Sequence, residues 1–106
     1  MSPKVKTILA ELRSRFEALY GDRLVKLVLF GSQARGNADA DSDIDVLVVL
    51  KGPVQVGTEI ERGSTVTAAL SLEHDVVISS VYVDEERYKR DRSPLFLNVE
   101  ADGVAV

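Results

Sequence analysis

The sequence contains no cysteine and no tryptophan, and its only histidine is His74. The absence of cysteine excludes disulfides and thiolate zinc sites, and a single histidine cannot build a histidine-rich metal centre. Any bound metal must therefore be held by oxygen atoms. The chain also lacks an apolar run approaching the roughly 20 residues that a membrane span requires. We therefore expect a cytoplasmic protein without membrane association.

The charge balance argues against general binding to polyanions. The chain has 13 Lys and Arg residues against 17 Asp and Glu residues, for a net charge of -4. That charge offers no attraction for nucleic-acid phosphates or anionic lipids. Apolar residues make up 45% of the chain and charged residues 28%, which is typical of a globular protein. We expect a single domain over residues 1–106 and no direct nucleic-acid binding.

Hydrophobic periodicity predicts the first helix and three strands. Apolar residues at steps of three and four predict an amphipathic helix. Its apolar stripe consists of Val5, Ile8, Leu9, Leu12, Phe16 and Leu19. Nearly continuous runs of apolar, branched side chains predict strands, and the first run suits a strand that is covered on both faces. These runs span residues 24–30, 44–50 and 76–83.

The remaining segments predict three more helices and a short edge strand. Gly63 lowers the helix propensity of residues 58–72, although Ile60, Val66 and Leu70 give that segment an apolar side. Residues 84–92 are mostly charged and predict a short solvated helix. Ser93 and Pro94 suit the N-cap and first position of a helix over residues 95–101, and residues 104–106 complete the chain as an edge strand. Together these elements predict an α/β fold with a small mixed sheet and helices packed mainly on one side.

An acidic pair begins the second predicted strand. Asp43 and Asp45 alternate along the extended chain, so both side chains point to one face, about 7 Å apart at the Cα atoms. Magnesium prefers oxygen ligands and commonly binds through one or two carboxylates together with substrate phosphates. A pair of metal ions held in this way supports in-line displacement at phosphorus. The pair therefore predicts phosphoryl or nucleotidyl transfer.

A glycine turn ends the first predicted strand and is suited to phosphate. If Ser32 caps a short helical turn, exposed backbone N–H groups face outward as an anion site. Gly31 lets the backbone approach a ligand because it has no Cβ, Ser32 can donate a hydroxyl hydrogen, and Arg35 can neutralise phosphate charge. These three residues are the predicted phosphate-binding group.

Each feature alone has an ordinary structural explanation, because acidic residues and glycines are common in turns and at strand starts. Their joint occurrence between two apolar strands, with ten residues separating Ser32 from Asp43, favours function. We interpret Asp39 and Asp41 as turn formers, and Glu73 and His74 as surface residues.

The combination of Gly31-Ser32, ten residues and Asp43-x-Asp45 resembles the signature of DNA polymerase β-like nucleotidyltransferases. The motifs Gly-Ser-x-Ala-Arg-Gly and Ser-Asp-Ile-Asp-Val-Leu-Val-Val are similar to those of the minimal nucleotidyltransferases of prokaryotes in particular. The resemblance implies a polymerase β-like core, magnesium as the metal and ATP as the nucleotide substrate. It also implies a third carboxylate at the start of the third strand, where Asp75 occupies the matching place. That residue would help to hold the metal and to deprotonate the acceptor hydroxyl.

The resemblance also implies a partner. Minimal nucleotidyltransferases of this type act as antitoxins of helical HEPN-domain proteins, and the acceptor would be a tyrosine of that toxin. Two alternatives remain open on the sequence: a non-catalytic module that neutralises its partner by binding, and nucleotidyl transfer to a small molecule such as an aminoglycoside. The sequence does not decide between a monomer and a homo- or hetero-oligomer.

Overall fold

The computed structural model describes residues 1–36, 38, 39 and 42–106. The helices and strands follow the predicted order, with one additional short helix after the first strand. The helices are α1 Pro3–Tyr20, α2 Gly31–Arg35, α3 Val56–His74, α4 Glu85–Arg90 and α5 Pro94–Asp102, and a 3₁₀ turn spans Gly21–Arg23. The strands are β1 Leu24–Phe30, β2 Ile44–Leu50, β3 Ile78–Asp84 and β4 Val104–Ala105.

Helix α1 begins at a cap and buries the predicted stripe, with one correction. The Ser2 hydroxyl accepts a hydrogen bond from the Val5 N–H at 3.2 Å, which satisfies a free donor of the first turn. Leu19, predicted to lie in the stripe, is 40% exposed, whereas Tyr20 is 6% exposed. The Tyr20 ring packs against Phe16 with centroids 5.9 Å apart. The larger aromatic side chain therefore takes the buried position in the last turn.

The four strands form a mixed sheet in the order β3-β2-β1-β4, which confirms the predicted sheet type. Strands β1 and β2 are antiparallel and place Phe30 opposite Asp45. Strands β2 and β3 are parallel and place Asp45 level with Ser79. Strand β3 begins at Ile78, two residues later than predicted, because Asp75 ends α3 in the left-handed conformation with φ of 54°.

Helices cover both faces of the sheet unequally. The long helices α1 and α3 lie on the face that carries Val46 and Val48, in agreement with the predicted one-sided packing. The short helices α4 and α5 partly cover the other face, through a smaller cluster that includes Leu47 and Phe96. Because side chains alternate along a strand, Asp45 lies on this second face. In the described part of the chain, no helix has the length and apolar character needed to cross a membrane.

Candidate functional site

The carboxylate of Asp45 lies directly against the backbone of Gly31. Gly31 begins α2 with φ of +75°, and a Cβ built on it would stand 2.6 Å from Asp45 Oδ2. No side chain can occupy that space while Asp45 keeps its position. The antiparallel pairing of Phe30 with Asp45 explains the contact, because it places the end of β1 beside the start of β2. The predicted phosphate turn and the predicted acidic pair therefore lie side by side.

Gly31→Ala should destabilise the protein by about 2 to 3 kcal/mol, because it combines a positive φ with a clash at the carboxylate. Gly36→Ala is the matched control, since Gly36 has φ of +78° but its Cβ would meet no atom within 4 Å. The control should cost only about 1 kcal/mol of backbone strain. Urea denaturation of both variants measures the difference, and equal losses would show that Asp45 does not fill the space beside Gly31.

Charges around Asp45 act on its ionisation. Burial raises the pKa of Asp45 above its usual range, the neighbouring Asp43 carboxylate raises it further, and the Arg35 guanidinium opposes both effects. The charges of Asp43 and Arg35 therefore both act on the Asp45 carboxylate. Asp43 is exposed and Asp45 is half-buried, so the pair opens to solvent at the end of the sheet.

The acidic pair is suited to a cation. Among the residues that the structure describes, no hydrogen bond or ion pair engages the carboxylate of Asp43 or of Asp45. Two carboxylates that repel one another and have no cationic partner in contact gain stability from a bound metal ion. Their donor atoms are all oxygens, which matches the preference of magnesium.

Helix α2 carries Ser32 and Arg35 but is not capped as predicted. The N-cap position is Phe30 rather than Ser32, and no side chain makes a capping hydrogen bond there. Ser32 instead lies within the first turn, and its carbonyl accepts a hydrogen bond from the Gly36 N–H at 3.1 Å. The Ser32 hydroxyl has no capping role and is half-buried beside Gly31, while Arg35 is exposed.

Gln33 is a positioning residue that the sequence did not single out. Its side chain is 5% exposed, and its Nε2 donates to the carbonyl oxygens of Asp39 at 2.8 Å and of Ser42 at 3.2 Å. Since Ser42 directly precedes Asp43, this amide ties α2 to the segment that carries the acidic pair. A lone glutamine in a polar stretch gives no sequence signal for such burial.

Gln33→Met keeps the length of the side chain but removes both hydrogen bonds. We expect a loss of about 1 to 2 kcal/mol in the free energy of unfolding, because two carbonyls lose a buried donor. Backbone amide NMR shifts of Ser42 and Asp43 should change, since both residues follow the lost contact. Gln55→Met provides the control, because Gln55 is exposed. Unchanged shifts at Ser42 and Asp43 would show that Gln33 does not position the acidic pair.

The other predicted acidic residues lie in different surroundings. The Asp39 carbonyl accepts hydrogen bonds from Gln33 and, at 3.1 Å, from the Ser42 N–H, which suits the predicted turn. Asp41 lies outside the described residues. Asp75 is exposed at the C-cap of α3, and the β3 residue level with Asp45 is Ser79. The ligand atoms of Asp75, Asp43 and Asp45 do not all lie within 4.8 Å of one another.

Two glutamates and the histidine form a separate cluster of possible metal ligands. Within residues 1–36, 38, 39 and 42–106, the one set of three ligand-type side chains with ligand atoms within 4.8 Å is Glu11, Glu73 and His74. The His74 Nε2 lies 3.0 Å from Glu11 Oε2, and Arg15 pairs with Glu73 at 3.5 Å. These contacts join α1 to α3.

Comparisons with known proteins identify the family and the fold. The profile of the nucleotidyltransferase domain family matches residues 5–100. The chain is 32% identical over 100 residues to a protein of Methanocaldococcus jannaschii that is provisionally named a protein adenylyltransferase, and the match covers 93% of this chain and 95% of that relative.

Two solved structures resemble the fold. A provisionally named nucleotidyltransferase from Sulfolobus solfataricus aligns with a TM-score of 0.62 and 21% identity, over 99% of this chain and 86% of that one. A toxin–antitoxin structure with AMP-PNP aligns with a TM-score of 0.62 and 20% identity, over 98% of this chain and 72% of that one. At this level of identity, the likeness establishes the fold.

Proposed function

Because the chain belongs to the nucleotidyltransferase domain family, we propose that it transfers AMP from ATP to an acceptor hydroxyl and releases pyrophosphate. The observation that carries the proposal is the contact between Asp45 and Gly31. It joins a carboxylate pair, which can hold a metal ion, to a glycine turn, which can receive phosphate. A nucleoside triphosphate with magnesium requires both features side by side.

Each site residue then has a defined task. Asp43 and Asp45 would hold magnesium, which when bound neutralises charge on the triphosphate and stabilises the transition state of displacement at phosphorus. Gly31 leaves room for the carboxylate and for close approach of the phosphates, and the Ser32 hydroxyl can donate to a phosphate oxygen. Arg35, which already lies in the field of Asp45, can neutralise phosphate charge. Gln33 holds the segment before Asp43 in place.

The reaction is a single displacement. The acceptor oxygen attacks the α-phosphorus of ATP, the bond from that phosphorus to the bridging oxygen of the β-phosphate breaks, and pyrophosphate leaves. The hydroxyl proton must pass to a base. Asp75 is the candidate for this role and for the third metal ligand, and Asp75→Asn measures its share of the rate. A loss equal to that of Asp45→Asn supports the assignment, whereas an unchanged rate excludes it.

For the acceptor we propose a tyrosine of a partner HEPN-domain toxin. Two observations support a protein acceptor: the related archaeal protein carries the name of a protein adenylyltransferase, and a structural neighbour is a toxin–antitoxin structure with AMP-PNP. The exposure of Asp43 at the end of the sheet also leaves the acidic pair accessible to a side chain of another protein.

Intact-mass spectrometry tests this function. The chain is incubated with ATP, magnesium and a HEPN-domain partner, beside the Asp43→Asn, Asp45→Asn double variant. We expect the partner to gain AMP masses only with the unmodified chain, and tyrosine-to-phenylalanine variants of the partner to lose them. A partner that stays unmodified yet remains bound and neutralised would instead indicate a binding module. AMP on a small hydroxylated compound alone would contradict the protein acceptor but retain the reaction.

A further inference from the structure

Two exposed residues at the start of β3 lie on the same face of the sheet as Asp45. Val76 and Ile78 belong to the core on the side of α1 and α3, whereas Val77 is 56% exposed and Ser79 is exposed. Because side chains alternate along an extended chain, Val77 and Ser79 point away from that core. The two exposed residues therefore share the face of the acidic pair.

The strand register places Ser79 next to Asp45. The parallel pairing of β2 and β3 brings the two residues level, and neighbouring strands lie about 4.8 Å apart. Val81 and Val83 continue the alternation of Ser79, and both pack in the smaller cluster that contains Leu47, on the face of Asp45. The Asp45 carboxylate therefore has the glycine turn on its β1 side and Ser79 on its β3 side.

The hydroxyl of Ser79 is available to a ligand. Within residues 1–36, 38, 39 and 42–106, no hydrogen bond engages it. The adjacent Ser80 differs, because its hydroxyl donates to the Tyr82 hydroxyl at 3.0 Å on the core face. Strand β3 is also the last strand in the order β3-β2-β1-β4. In the described part of the chain, no further strand therefore covers Ser79 from the outer side.

Displacement at phosphorus determines the side from which the acceptor approaches. Under the proposed function, the phosphates that leave as pyrophosphate lie at the glycine turn, on the β1 side of Asp45. In an in-line displacement, the attacking oxygen enters opposite the leaving group. The acceptor must therefore come from the β3 side, where Ser79 is the neighbour of Asp45 in register.

We propose that Val77 and Ser79 bind the acceptor and select an aromatic hydroxyl, an inference that rests on the proposed function. The Ser79 hydroxyl donates to the acceptor oxygen and holds it in line with the α-phosphorus of ATP. Val77, about 7 Å away along the chain, packs against the ring that carries this oxygen. An aliphatic hydroxyl would have no ring for the exposed Val77 side chain to contact, so it would gain less from the same pair of residues.

Two neighbouring serines provide a matched test of the hydrogen bond. Ser79→Ala should lower kcat/KM for a HEPN-domain protein about tenfold, because the acceptor oxygen loses a donor, whereas calorimetry should show unchanged affinity for ATP with magnesium. Ser80→Ala should leave kcat/KM unchanged but lower the midpoint of urea denaturation, since Tyr82 loses its partner. An unchanged kcat/KM in Ser79→Ala, or an equal loss of ATP affinity, would overturn the proposal.

NMR tests the aromatic preference without the reaction. N-acetyltyrosinamide, added to the chain, should shift the backbone amide signals of Val77 and Ser79, and N-acetylserinamide at the same concentration should leave them in place. Equal shifts with the two compounds, or shifts elsewhere only, would contradict selection of an aromatic hydroxyl at this position.

Thiol labelling separates this inference from the proposed function, since the chain has no cysteine of its own. Reaction of Val77→Cys with N-ethylmaleimide should slow AMP transfer to a HEPN-domain protein about a hundredfold relative to the unlabelled variant, because a displaced acceptor no longer reaches the in-line geometry. ATP binding should persist. Labelled Leu72→Cys is the control, because Leu72 is 86% exposed on α3. Normal transfer by labelled Val77→Cys would overturn this inference alone, whereas no transfer by the unmodified chain would overturn the proposed function as well.

Discussion

Replacing Asp45 by Asn should lower the rate of nucleotidyl transfer about a thousandfold or more. A carboxylate that holds the metal contributes several kcal/mol of transition-state stabilisation, and about 4 kcal/mol corresponds to a factor of a thousand. Asparagine keeps the shape beside Gly31 but removes the charge. Pyrophosphate release at saturating ATP and magnesium measures the rate. Asp22→Asn is the matched control, because Asp22 is exposed in the 3₁₀ turn after α1, at the far end of β1 from the site.

The same variant should not be less stable than the unmodified chain. Burial and Asp43 raise the pKa of Asp45, so the folded state binds a proton more tightly than the unfolded state. Ionised Asp45 therefore lowers stability, and this loss grows as pH rises from the ordinary aspartate pKa through the raised one. Asparagine removes the loss, and the Tm of metal-free Asp45→Asn should rise at neutral pH. A lower Tm of Asp45→Asn would indicate that the variant loses activity because it misfolds.

Gly63→Ala should destabilise the fold by about 3 kcal/mol, although alanine is the better helix former. A Cβ at position 63 would stand 1.7 Å from the Tyr82 hydroxyl and 2.7 Å from Cζ. Tyr82 is 3% exposed and packs edge-on against Phe16, with ring centroids 6.4 Å apart. It cannot move aside without disturbing the core between α1, α3 and the sheet.

Gly57→Ala supplies the control for this prediction within the same helix. A Cβ at Gly57 would meet no atom within 4 Å, so alanine should act there through helix propensity alone and stabilise by about 0.5 to 1 kcal/mol. Urea denaturation of the two variants should therefore give shifts of opposite sign. A stabilising Gly63→Ala would contradict the close packing of α3 on Tyr82.

The sheet and the acidic pair could be predicted because their signals are local. Continuous apolar runs at β1 and β2 identify buried strands, and the alternation of Asp43 and Asp45 follows from strand geometry alone. The contact between Gly31 and Asp45 needs the strand register as well. That register depends on long-range pairing, which the sequence of either strand does not contain.

Other features escaped the sequence because they depend on tertiary packing. From the sequence, Gly63 only lowers the helix propensity of α3. Its close packing on Tyr82 is visible only in the folded structure. Gln33 is polar and lies in a polar stretch, yet the fold buries it. Leu19 and Tyr20 both suit the end of an amphipathic helix, and contact with Phe16 decides between them. Strand β3 begins two residues later than predicted because Asp75 adopts a left-handed conformation. The residue types at this position do not indicate that conformation.

The most direct test of nucleotidyl transfer compares ATP labelled at the α-phosphate with ATP labelled at the γ-phosphate. The chain is incubated with a HEPN-domain protein, the proposed partner, and magnesium, and the label retained on protein is measured, with Asp45→Asn as the reference. We expect retention of the α-label only, dependent on magnesium and lost in the variant. Retention of the γ-label would show phosphoryl transfer instead. Retention of the α-label by Asp45→Asn at the rate of the unmodified chain would contradict the role of the acidic pair.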